Sequence, residues 1–150
     1  MCRPGHWASA TTVNERYYWD GLLQPGNPKS VGNTGNFHQP LSPEALGALI
    51  GDKLGRTPLH IPGAATEIRR IGFCTGGAQG YIEHAVALGL DAYISGEISE
   101  PTVHTARECG IHYFAAGHHA TERYGVQALG AFLQEKLGIE HLFIDIENPV

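Results

Sequence analysis

Cysteine is scarce in this sequence and never paired in a CxxC spacing: Cys2, Cys74 and Cys109 are the only three in 150 residues. An odd count without a paired pattern argues against a disulfide framework and points to a reducing compartment. Runs of lysine or arginine are also missing. Ten basic residues stand against 15 acidic ones, for a net charge of −5. A broad nucleic-acid surface needs clustered positive charge, so its absence argues against one, whereas a local site for one small phosphate-bearing ligand remains open. No stretch approaches the ~18 apolar residues of a membrane span. The opening MCRPGHWASATT has no apolar signal-peptide core. These absences lead to the expectation of a soluble, cytoplasmic protein that makes no membrane contact.

What is present fits one domain. Apolar residues make up 42% of the chain, and a domain of this length buries roughly two thirds of its unfolded surface. Histidine is over-used. Nine are present, and five of them lie between His84 and His119.

The chain divides into two unlike parts. Residues 1–41 show no sustained periodicity and read as an irregular N-terminal segment. Within it QPGNPKSVGNTGNFHQP (24–40) is dense in turn formers, and RYYWDGLL (16–23) reads as a short strand or an aromatic plug. Residues 42–150 read as an α/β domain. SPEALGALIGDKLG (42–55) is predicted to be a helix, with Ser42 as cap, Pro43 in the first turn and Gly55 at its end. TPLHIPG (57–63) reads as a short extended link. From Arg69 onward apolar strands alternate with amphipathic helices, and IEHLFIDI reads as a last strand. That alternation predicts a mostly parallel sheet flanked by helices.

Three strand ends run into small, acidic and imidazole residues: Thr75-Gly76-Gly77, Ser95-Gly96-Glu97 and Gly117-His118-His119. In a parallel sheet these ends share one edge, where open α/β sheets bind ligands. His118 and Glu122 are spaced i, i+4 and so share one helix face. Imidazole plus carboxylate suits a divalent metal such as zinc, iron or manganese, and it equally suits a plain surface pair. His119 lies about 100° further round, where it can serve as a proton shuttle. Glu100 and His104 form a second such pair, for which a helix-start role is the simpler reading. Glu97 sits in the turn itself. CTGGAQG (74–80) matches neither GxGxxG nor a P-loop. Its amides can hold an anion, or its glycines can simply permit close packing.

CTGGAQGYIEHA, GLDAYISGEISEPTVHTARECGIHYFAAGHHATERYG and FIDIENPV resemble the GTP cyclohydrolase I type 2 family, also called the NIF-three-like or dinuclear-metal-centre family. The resemblance spans about residues 42–150. It implies one lobe of a two-lobed α/β fold, a toroidal homohexamer, and a pair of divalent metals in an interior cleft. His118 and Glu122 match the family's metal ligands, and Glu97 and Glu100 match a stretch beside the same cleft. The family's N-terminal His-His pair has no match: Asn14 and Glu15 stand where it would be. The family's metal-binding aspartate has no counterpart either. The chain thus reads as a shortened member with half a metal site.

The resemblance implies a metal-dependent hydrolase acting on GTP or another small phosphorylated molecule. Glu97 and His119 would move protons, and Thr75–Gly77 amides or Arg123 would hold phosphate. The alternatives are a non-catalytic, oligomeric metal-binding or scaffold protein, and a nucleotide-binding module without metal. His38, just before the first helix, is the local candidate for a further ligand.

Overall fold

The computed structural model describes residues 17–150. Its strands are β1 (Tyr17–Leu22), β2 (Asn33–Leu41), β3 (Leu59–Ile61), β4 (Ile68–Phe73), β5 (Ala92–Ser95) and β6 (His112–Ala115). Its helices are α1 (Pro43–Leu54), α2 (Ile82–Ala87), α3 (Glu100–Cys109) and α4 (His118–Leu137). A short 3-10 turn, Gln79–Tyr81, leads into α2.

The six strands form one mixed sheet in the order β1-β2-β4-β5-β6-β3. Its centre, β4-β5-β6, is parallel, as the strand–helix alternation expects. β1, β2 and β3 join antiparallel. Residues 17–41 are therefore not irregular, as their composition suggested: they supply two strands. The reason lies in β2, which is paired on both sides. Asn33, Thr34 and Asn36 are buried there through backbone pairing and through Asp20, which accepts from Thr34 Oγ1 at 2.6 Å and from Asn36 Nδ2 at 2.5 Å. Gly35 lies directly under the Trp19 ring. A strand stabilised in this way shows no apolar alternation. Asn14 and Glu15 lie outside the described residues.

Alternation along the central strands feeds two cores. Ile71, Phe73, Ile94 and Phe114 point to the face covered by α1 and α4, where Leu46, Ile50, Leu54 and Ala120 meet them. Tyr93, Tyr113 and Ala115 point to the other face, against Ile82, Ala85 and Ala106. α1 begins and ends as expected: Ser42 Oγ accepts from Ala45 N at 3.2 Å, and Gly55 closes the helix in the left-handed region. The link at 57–63 contains β3, an edge strand on β6.

The expected last strand does not form. Residues 138–150 carry no helix or strand among the described residues. Leu142, Ile144 and Ile146 are 80%, 71% and 76% exposed. Their spacing of two is a strand pattern, but a strand needs a neighbour to pair with, and β1 and β3 are the sheet's outer strands.

Candidate metal centre

The three strand ends meet as the parallel ladder predicts, and hydrogen bonds carry the ladder one step past the strands. Gly96 N donates to Gly76 O at 3.0 Å, and Gly117 N donates to Gly96 O at 2.9 Å. Thr121, one turn into α4, accepts from Gly76 N at 3.0 Å and donates to Gly117 O at 2.9 Å. The turn after β4 is thereby tied to the start of α4.

His118, Glu122, Glu97 and Gly76 surround one spot on this edge. His118 Nε2 and Glu122 Oε2 converge to 3.0 Å on one helix face, as their spacing predicts. The other ring nitrogen, Nδ1, lies 2.5 Å from Glu97 Oε1. A carboxylate oxygen can only accept, so Nδ1 carries a proton towards Glu97, and by the same rule Nε2 carries one towards Glu122. The Glu97 contact is the arrangement in which a carboxylate orients a metal-binding histidine. The hydrogen bond to Glu97 holds the His118 imidazole above the usual histidine range, opposed by burial and assisted by the charge of Glu122. Gly76 makes room for the pair. A Cβ there would lie 2.2 Å from Glu122 Oε1 and 3.3 Å from His118 Nε2, and its φ of +65° is itself in the left-handed region.

Two donors fit part of a metal site. Among the described residues, no group of three or more His, Cys, Asp or Glu side chains is placed to hold an ion. His38 cannot complete one. Asn33 pairs with Phe73 at the carboxyl end of β4, whereas Leu41 pairs with Ile68 at its start. His38 therefore sits towards the far end of the sheet, beside Tyr18. The Glu100–His104 pair is a 3.8 Å contact between exposed side chains. Ser99 caps no backbone amide of α3; its hydroxyl pairs with Thr102 Oγ1 instead.

His119 points away from His118, towards the C-terminal segment. Its Nε2 lies 2.8 Å from Asp145 Oδ1, and Arg123 Nη1 donates to Asp145 Oδ2 at 2.7 Å. Arg123 Nη2 is held by Leu54 O at 2.8 Å. Sequence reasoning did not single out Asp145. The available signal was its place as the polar residue in the alternation of FIDI.

A model of the Duf34/NIF3 (NGG1p interacting factor 3) family matches residues 9–149. A "GTP cyclohydrolase 1 type 2 homolog" of Pseudomonas aeruginosa is 57% identical over 130 residues, covering 87% of this chain and 51% of the relative. A homolog of the same description from Vibrio cholerae is 59% identical over 133 residues, covering 87% and 52%. Among solved structures, the protein ybgI, described as of unknown function, superposes with a TM-score of 0.81 at 40% identity, covering 89% of this chain and 53% of that one. The chain spans about half the length of the curated relatives it matches.

Proposed function

This chain belongs to the Duf34/NIF3 family, and on that premise we propose that it binds a divalent metal, zinc, iron or manganese, through His118 Nε2 and Glu122. The observation that carries the reading is the contact of Glu97 with His118 Nδ1 at 2.5 Å. It fixes the ring so that Nε2 and the Glu122 carboxylate face one point. Further ligands would come from outside the described residues or from another subunit; without them the site is incomplete and binds metal weakly.

The proposed activity is metal-dependent hydrolysis of GTP or another small phosphorylated molecule. A bound divalent ion would supply Lewis-acid activation of water and of the electrophile. This chain's residues do the rest. Glu97 Oε1 holds the Nδ1 proton, so that Nε2, on giving up the proton it now shares with Glu122, is the nitrogen that would ligate. The other Glu97 oxygen, Oε2, is reached by Gln79 Nε2 at 3.4 Å. His119 is the second proton carrier, through a ring nitrogen now engaged by Asp145. The alternative is a non-catalytic, oligomeric metal-binding protein. It is favoured by the count of two donors, because catalytic zinc usually takes three protein ligands. Assembly into an oligomer, a hexamer by resemblance, belongs to both readings. For location, the cytoplasm is the reading that an odd cysteine count without a CxxC spacing supports; among the described residues no helix is long and apolar enough to cross a membrane.

A zinc titration with metal counting, run beside a GTP turnover assay, tests this. Wild type should take up metal and His118→Ala should lose it. Equal tight binding by both would sink the metal assignment. Metal uptake without turnover would favour the non-catalytic reading.

A further inference from the structure

Two places beside the metal position could take an anionic group, and their chemistry differs. The first is the cleft of about 620 Å³ along the Gly-rich turn, lined in part by Gly77, Gln79, Tyr81, Ser99 and Thr105. Its charged lining residues are Glu83 and Glu122, with no lysine or arginine among the described residues there. Two of the turn's amides are also spoken for: Gly76 N donates to Thr121, and Ala78 N donates to Gly76 O. An anion entering this cleft meets carboxylates and few free donors.

The second place is a hollow of about 510 Å³ between the end of α1 and the start of α4. Arg56, His119 and Arg123 line it, and the C-terminal segment closes it with Asp145, Glu147 and Asn148. Arg123 is pre-set for an anion. Leu54 O fixes one arm of its guanidinium, and the other arm already binds a carboxylate. Arg56 packs against Gly117 and pairs with no carboxylate among the described residues. The segment that fills the hollow has no regular structure, and its apolar residues face solvent. Besides the Asp145 contacts, Val150 O accepts from His119 N at 3.3 Å. So two carboxylates on a segment without helix or strand line the same hollow as two guanidiniums and an imidazole.

We propose that Arg56, His119 and Arg123 form the phosphate site of this protein, and that Asp145 occupies it as an internal competitor. The ligand class is a phosphate or phosphate ester. Guanidinium forks bind its oxygens in pairs, as Arg123 now binds Asp145. This rests on the reading of a phosphorylated substrate and adds where the phosphate sits. Entry of phosphate displaces the segment and frees His119.

The test uses the full chain in chelator, so that metal plays no part. Inorganic phosphate is titrated by calorimetry into wild type, Asp145→Asn, and Asp145→Asn with Arg123→Gln. Asp145→Asn should bind about five- to tenfold tighter than wild type, and the added Arg123→Gln should lose about tenfold. A second measurement needs no variant. Proteolytic cleavage within 139–150 of wild type should accelerate in phosphate beyond a chloride control of equal ionic strength. Equal phosphate affinity in wild type and Asp145→Asn, or cleavage that phosphate leaves at the chloride level, would overturn the proposal. Because metal is absent throughout, failure here leaves the zinc titration to judge the metal site separately.

Discussion

At the scale of single residues, the site depends on one carboxylate and one missing methyl. Glu97 is bonded to the ring nitrogen that does not face Glu122, so it acts by aiming His118. Glu97→Gln keeps the size and removes the charge. Metal affinity should fall about 10–100-fold while the melting temperature stays close to wild type. A variant that titrates zinc like wild type would end the orienting role. Gly76 is the other sensitive position. Gly76→Ala puts a methyl 2.2 Å from Glu122 Oε1 and strains a left-handed backbone. It should cost roughly 1–2 kcal/mol of stability and weaken metal uptake as much as Glu122→Ala is expected to. Thermal melts together with the zinc titration decide it. The sequence made part of this legible. The i, i+4 rule places His118 beside Glu122 from local geometry alone. The Glu97 contact spans 21 positions, and no spacing rule reports which ring nitrogen it meets. The strand-end argument brought Glu97 to the right edge and could go no further.

At the scale of elements, legibility followed how local the stabilising forces are. α1 carries its own instructions, with a capping serine, a proline in the first turn and a left-handed glycine after the last. β2 carries none, because its buried asparagines and threonine are stabilised by partners on β1 and β4. The last segment shows the converse. Its alternation is that of a strand, yet alternation states only which side would be buried, and no strand of the described chain pairs with it. The edge strand β3 also depends on a distant contact. His112, buried at the start of β6, receives Gly63 N–H at Nδ1 at 3.1 Å and reaches Ala65 O from Nε2 at 2.8 Å. His60 Nε2 lies 3.0 Å from the same Nδ1, and the His60 ring stacks on Phe114. Burial, then the neighbouring His112, holds His60 below the usual histidine range, with the Glu44 carboxylate opposing weakly. A histidine lowered in the folded state binds fewer protons there than when unfolded. Its contribution is full above the unfolded value of about 6.5 and declines as pH falls below it. Stability should therefore drop between about pH 7 and 5 more steeply in wild type than in His60→Phe, which keeps the stack. Parallel pH–stability curves from urea melts would refute this.

At the scale of the whole molecule, the apolar surface is unfinished. Val126, Leu129 and Phe132 on α4 are more than half exposed, and so are Leu142, Ile144 and Ile146 on the segment that follows it. His141 folds that segment back onto Gly130, so these residues belong to one region of the molecule. Patches of this kind mark interfaces. The relatives are about twice as long as the part matched here, so a surface covered in them can be bare in this chain. Fully burying six such side chains is worth on the order of 10 kcal/mol, comparable to the roughly 4–15 kcal/mol lost when two bodies associate. Backbone pairing of the extended segment would add to that gain. The chain is therefore expected to self-associate at micromolar concentration. Replacing Leu142, Ile144 and Ile146 together by aspartate should return it to a folded monomer, because none of the three is buried within the chain, with a melting temperature lower only by what association contributed. Light scattering at several concentrations checks both expectations. A wild-type chain that stays monomeric throughout would mean that this surface is tolerated bare. The proposed metal site would then either be completed from outside the described residues or stay incomplete and bind metal weakly, since no second subunit would be present to supply ligands.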